Sequence, residues 1–251
     1  MNMESGLGHC LSFINCQLQP AQRSTATRTE PHRPAVTISR QAGCGALAVA
    51  ERLGDLLQET TPRDEPNWTV FDRNFMEKVL ADHHLPGRLA KFLPEDRVSE
   101  LQDILNDLAG LQPPSWTIIA QISETVLRLA ELGNVILIGR AANIIAARLP
   151  HVRHVRLIAP LEKRVAYAHD LYRMSERDAR AFCLREDAAR RRYVKKYFKA
   201  DVDDPQLYHL VINTGLVSFD EAARLIAQLV RGPERAANDG ARPVHAAHLT
   251  Y

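Results

Sequence analysis

Cysteine is scarce in this chain. The four present, Cys10, Cys16, Cys44 and Cys183, include no CxxC pair. That spacing argues against a zinc site, and the number is far below that of a disulfide-dense scaffold. A reducing compartment fits best. Long apolar runs are missing as well: none approaches the ~18 residues needed to span a bilayer. Residues 1–16 have no basic n-region and no clear cleavage site, which argues against a secretory signal. The expectation is a cytoplasmic protein with no membrane partner. An excess of one charge is also absent. Lys plus Arg number 32 against 30 Asp plus Glu, for a net charge of +2. That is too small to argue for nucleic acid by itself. With 251 residues, 45% of them hydrophobic, the chain can bury a sizeable core, as one large domain or one with an embedded subdomain.

The most informative stretch lies between Thr37 and Ala50. Val36-Thr37-Ile38 is a β-branched run that reads as a strand. A turn with Gly43 and Gly45 follows, and then an Ala/Leu-rich segment of helical character. Strand, glycine turn and helix together have the layout of a phosphate-binding loop. Glycines let backbone N–H groups converge on an anion, and the helix N-terminus adds a partial positive charge. The pattern GxxxxGK[ST] is incomplete. With Gly45 as its second glycine, the first falls on Arg40, the lysine on Ala46, and the hydroxyl residue near Leu47 or Ala48. The ammonium for the β- and γ-phosphates is missing, and so is the hydroxyl for Mg²⁺. The cradle remains, with Ser39 and Arg40 at its edge. A plain glycine turn in any α/β protein would read the same way. Cys44 is either a reactive thiol or a small residue filling a tight loop.

Taken in order, residues 1–34 read as a flexible arm without sustained period. A strand at 35–39 leads to a helix at 45–59, a polar loop at 60–67 and a second strand ending at Asp72. Asp72 is placed for a substrate contact at the strand's C-terminal end, or as the cap of a helix over 73–83. The pair His83-His84 has no third ligand at fixed spacing, and no metal-ligating set is read elsewhere. Residues 88–112 and 116–132 have helical spacing. The long stretch between the second and third strands suggests a helical substrate-binding insertion, at about 84–132. Residues 134–138 form the clearest buried strand and run into Gly139-Arg140 and a helix to about 148. A strand at 152–158 and a helix at 161–172 come next. Ser175 caps a helix through the densest basic run, Arg185 to Lys199. A last strand at 208–213 precedes a helix at 219–231 capped by Ser218, and 232–251 reads as a loose tail. Alternating strands and helices predict a parallel sheet with helices on both faces.

Three strand ends bring polar or glycine residues to one edge of such a sheet: Ser39 and Arg40 with Gly43 and Gly45, then Asp72, then Gly139 and Arg140. Glycine followed by arginine after a buried strand suits close backbone approach and a bidentate phosphate contact. The alternative for Arg140 is an exposed arginine at a helix start, a position that disfavours cations. In the basic run, Arg185, Asp187 and Arg190 fit R-x-D-x-x-R, with Asp187 and Arg190 on one helix face. A mobile lid at 175–200 could close such arginines over a polyphosphate. A solvated face with internal ion pairs, or nucleic-acid contact through Tyr193, Tyr197 and Phe198, would produce the same run.

These segments resemble the cytidylate kinase-like family of P-loop proteins. The stretches that carry the likeness are Ile38-Ser39-Arg40-Gln41 through Gly43-Cys44-Gly45, Phe71-Asp72, Val135 to Arg140, Ala159-Pro160-Leu161-Glu162 with Arg164, Asp187-x-x-Arg190-x-x-Tyr193, Asp204-Pro205 and Val211 to Thr214. The resemblance spans about residues 35–230. It implies a three-layer α/β fold of P-loop NTPase type, with a helical acceptor-binding insertion and a helical lid. It also implies ATP and Mg²⁺, with CMP or a similar nucleotide as acceptor. By the same resemblance, Ser39, Arg40, Gln41, Gly43, Cys44 and Gly45 would bind the donor phosphates, with Arg40 replacing the loop lysine. Asp72, Gly139, Arg140 and Asp187 would serve the acceptor. Arg40, Arg140, Arg185 and Arg190 would neutralise charge, with Asp187 orienting one lid arginine. Cytidylate kinases proper have an Asp-Gly-Arg-Asp signature where this chain has Ile138-Gly139-Arg140-Ala141.

Overall fold

The computed structural model describes residues 32–72 and 117–232, and within the second span the side chains from residue 122 onward. The expected helices over 73–83 and 88–112, the pair His83-His84, most of the N-terminal arm and nearly all of the C-terminal tail lie outside the described residues.

Five strands form the centre: β1 (Ala35–Arg40), β2 (Thr69–Phe71), β3 (Val135–Ile138), β4 (Val152–Ile158) and β5 (Leu210–Asn213). All pair in parallel, in the order β2-β3-β1-β4-β5. β1 lies in the middle, with Ala35 opposite Val135 on one side and Val152 on the other. A central parallel strand is covered on both faces, and accordingly Ala35, Val36, Thr37 and Ile38 are all buried.

The alternation of side chains along the strands separates two apolar layers. Val36, Ile38, Ile136, Ile138, Val155, Leu157 and Ile212 pack with α1 (Ala46–Gln58) and the last helix. Ala35, Phe71, Val135, Leu137 and Val152 pack on the opposite face with α2 (Thr117–Leu132), α3 (Ala142–Ile145) and the end of the long basic helix. α4 (Leu161–Tyr172) and α5 (Glu176–Phe198) form a smaller cluster beside the glycine loop. α6 (Phe219–Arg231) starts with a capping box, Ser218 with Glu221. It buries Ala222, Ala223, Ile226 and Ala227, and the three alanines let it approach closely. The chain leaves β1 for one edge of the sheet and leaves β3 for the other. The C-terminal ends of β1, β3 and β4 therefore frame the crevice where open α/β sheets bind ligands.

Two elements differ from the expectation by more than one residue. The helix after Gly139-Arg140 starts only at Ala142, because Gly139, Arg140 and Ala141 are all left-handed, and it ends at Ile145, where Ala146 departs from helical geometry. β5 begins at Leu210, because a 3-10 turn, Pro205–Leu207, occupies the chain before it. Ser175 caps α5 as expected, accepting the Asp178 N–H. No helix among the described residues is long and apolar enough to cross a membrane.

His154 sits in β4 with its Nδ1 2.8 Å from the Thr37 hydroxyl. Burial, with His209 and Arg153 nearby, lowers it from 6.5 to about 4. Between those values the unfolded chain binds a proton that the folded chain excludes. Stability should therefore fall as pH drops from 6.5 toward 4, by at most about 1.4 kcal/mol per pH unit from this group. His154→Gln is expected to flatten that slope in denaturant titrations across the window. An unchanged slope would contradict the assignment.

Candidate functional site

β1 ends at Arg40, and residues 41–45 turn the chain into α1. Gly43 (φ 78°) and Gly45 (φ 73°) are left-handed, and neither has room for a side chain. A Cβ on Gly43 would lie 2.4 Å from the Arg164 carbonyl oxygen, and one on Gly45 2.1 Å from the Phe219 ring. The glycines thus let the loop rest on α4 and on the start of α6.

Hydrogen bonds hold the loop at every turn. The Gln41 N–H donates to the Leu157 carbonyl at 3.0 Å, and the Gln41 Oε1 accepts the Ala159 N–H at 3.0 Å. The Thr214 hydroxyl donates to the Cys44 carbonyl at 3.0 Å. The central fastening is Asp187, buried halfway along α5. Its Oδ1 accepts the Ala42 N–H at 2.7 Å and an Arg190 N–H at 3.2 Å. Its Oδ2 accepts from Arg164 at 2.7 Å. Arg164 also donates to the Ala42 and Ala159 carbonyls.

α1 carries no side-chain cap at Gly45. The first-turn N–H groups of Ala46, Leu47 and Ala48 have no intrahelical acceptor, so the helix offers donors and a positive dipole end to an anion. Beside Gln41 lies a small pocket of about 10 Å³ lined by Arg40, Arg156, Arg190 and Arg191 with Asp187. Arg40 reaches across to β3: a Cβ on Gly139 would lie 1.8 Å from its Nη1. The missing side chain at Gly139 therefore accommodates the Arg40 guanidinium. Arg156 donates to the Ser39 hydroxyl at 2.9 Å and also pairs with Asp203. Ser39 is buried in this network, and Tyr208 Oη lies 3.2 Å from its Oγ. Burial would raise Asp203, but its hydrogen bond to Arg191 and the Arg156 charge hold the carboxyl below the usual range.

Other residues singled out from the sequence take different positions. Arg140 is half-buried and left-handed (φ 55°). Burial pushes the Tyr193 phenol up to about 12, and the Arg140 charge offsets part of that rise. The Tyr193 hydroxyl has no hydrogen-bond partner among the described residues. Asp72 is half-buried immediately after β2. Arg185 is exposed on α5, 6.0 Å from the Phe182 ring, and does not line the pocket. Cys44 is a loop filler: its thiol donates to the Gln41 carbonyl at 3.0 Å, and burial raises its pKa to about 11. Sequence reasoning did not single out Arg156, Asp203 or Tyr208 for the site. A charged residue in the middle of the buried strand 152–158 was the available signal for Arg156.

The strand order, with the glycine loop leaving the central strand, defines an α/β protein built on a five-stranded parallel sheet. The cytidylate kinase-like family model matches residues 35–216, and the chain belongs to that family. A cytidylate kinase from Methanopyrus kandleri is 27% identical over 166 residues, covering 63% of this chain and 84% of that protein. A uronate isomerase from Corynebacterium glutamicum is 27% identical over 93 residues, and this chain spans only 18% of its length. Among solved structures, an uncharacterized protein from Eubacterium ventriosum shares the fold with a TM-score of 0.60 at 18% identity, over 79% of this chain and 98% of that one.

Removing the Asp187 carboxylate strands Arg164, which is only 6% exposed, and frees the loop amide. Asp187→Ala is expected to cost roughly 3–5 kcal/mol in denaturant unfolding. Arg185→Ala, at an exposed position, should change stability by no more than about 0.5 kcal/mol. Equal effects from the two would contradict this geometry.

Proposed function

We propose that this protein transfers the γ-phosphoryl group of ATP to a nucleoside monophosphate, with CMP as the acceptor suggested by the family. The supporting observation is the uncapped N-terminus of α1 after the glycine loop, together with arginines from β1, β4 and α5 that line a small pocket at Gln41 on the same loop. The donor set fits polyphosphate, since backbone N–H groups and planar guanidinium groups both suit phosphate oxygens. The positions after Gly45 supply no hydroxyl for Mg²⁺, because they are Ala46, Leu47 and Ala48. Mg²⁺ would arrive held by the nucleotide phosphates, where it supplies charge neutralisation.

In this reading the acceptor's phosphate oxygen attacks the γ-phosphorus in line, the bond to the β,γ-bridging oxygen breaks, and ADP leaves. Such a transfer depends mostly on positioning and electrostatic stabilisation. The amides around Gly43, Cys44 and Gly45 would hold the donor phosphates. Ser39 and Gln41 would fix the loop through their own hydrogen bonds. Arg40 would take the place of the lysine, braced against Gly139. Arg190, oriented by Asp187, would neutralise the transferring group. Arg140 and Asp72 would meet the acceptor. Arg185 would join only if α5 moved, and the Asp187 contacts oppose that. A second reading, nucleotide binding without turnover, is favoured by the alanine at position 46 where the loop lysine would be.

ADP release, coupled to a reporter and measured across a panel of nucleoside monophosphates, tests the proposal. Acceptor-dependent turnover is expected, reduced about 10²–10³-fold in Arg190→Gln. Nucleotide binding without turnover for any acceptor would select the second reading. Neither binding nor turnover would remove both.

A further inference from the structure

At the opposite end of the sheet from the glycine loop, three residues from separate elements converge. His32 precedes β1, Glu131 lies in the last turn of α2, and His151 directly precedes β4. His32 Nδ1 is 3.0 Å from one Glu131 oxygen, and His151 Nε2 is 3.8 Å from the other. The two imidazoles stack with centroids 4.6 Å apart and planes 15° apart. One ligand atom from each residue lies within 4.8 Å of the other two.

The backbone supporting this cluster is well tied. The Asn134 N–H donates to the Pro34 carbonyl at 2.8 Å, and the Ala35 N–H donates to the His151 carbonyl at 3.3 Å. The incoming chain presses on Gly133 so closely that a Cβ there would lie 2.3 Å from Arg33 Cβ. Glu131 is 4% exposed. The last turn of a helix carries negative potential, which favours a cation beside this carboxylate.

We propose that His32, Glu131 and His151 form a binding site for a transition-metal dication such as Zn²⁺. Two imidazole nitrogens and one carboxylate oxygen are an established donor set for that ion, with water completing the coordination. Metal–ligand bonds of ~2.0–2.2 Å require the three atoms to draw together, and the exposed side chain of His32 has the freedom to do so. His151 Nε2 lies 3.1 Å from the Ala130 carbonyl. Ligation replaces any proton on that nitrogen, so uptake releases protons. The bound ion ties the entry of β1 to α2 and β4, a structural role independent of the kinase reading.

The test uses the full-length chain, freed of metal with a chelator and titrated with Co²⁺ and then Zn²⁺ near neutral pH. One equivalent of Co²⁺ should bind, with the visible absorption of a low-coordinate nitrogen–oxygen site, and Zn²⁺ should displace it. The ion should raise the unfolding temperature of the wild-type chain, since it binds only the folded site. His32→Ala changes an exposed residue and should leave the metal-free fold intact. It should weaken binding at least ~10-fold and abolish the thermal shift, and Glu131→Gln should do the same. No uptake by the wild-type chain, or binding undiminished by either substitution, overturns the proposal.

Discussion

The carboxylate of Asp187 joins parts of the chain that are distant in sequence. One oxygen takes the Ala42 N–H of the glycine loop and reaches Arg190 on its own helix, and the other takes Arg164 from α4. Charge-assisted hydrogen bonds of this kind are about twice as strong as neutral ones. Here they are also shielded from water, since Asp187 and Arg164 are both buried. The shape of the loop therefore depends on the position of α5. In the same way, α5 cannot move as a free lid without exposing an uncompensated arginine and an unpaired amide. The helix that brings Arg190 to the pocket also shapes the loop that the arginine faces.

The surroundings of the loop give physical content to the missing lysine. A lysine supplies a point charge on a flexible stem, whereas an arginine supplies a planar fork. Arg40 is braced against Gly139, and Arg156 is held by Ser39 and Asp203. Arg190 is held by Asp187 and Glu186, and Arg191 by Asp203. Each guanidinium is fixed before any ligand arrives, which reduces the ordering cost of binding. Asp187 and Asp203 offset part of this charge, leaving the pocket net positive.

Much of the architecture was legible in the sequence because its signals were local. The strand 152–158 and the helices 161–172 and 219–231 matched at both ends, and the caps at Ser175 and Ser218 marked the starts of α5 and α6. The shortness of α3 was hidden: its start is delayed by left-handed Arg140 and Ala141 and its stop falls at Ala146, residue types that do not advertise those conformations. In the site, the glycine turn was visible, but its fastening was not. Arg164 had been noticed only as part of a motif, and its bond to Asp187 spans two helices. Ser39 and Gln41 were visible as loop-edge residues, yet their side chains are engaged with Arg156 and with the Ala159 backbone. His32, Glu131 and His151 share no motif spacing and meet only because β1 and β4 begin where α2 ends.

On the proposed function, a polyphosphate settles on the amides at the start of α1 against arginines already in place. Isothermal titration of inorganic triphosphate, compared between the wild-type chain and Arg40→Gln, tests this without assuming any nucleotide or reaction. Saturable 1:1 binding is expected, weakening with added salt and falling about tenfold or more in the variant. Absence of binding heat at millimolar ligand, or equal affinity in the two proteins, would contradict it.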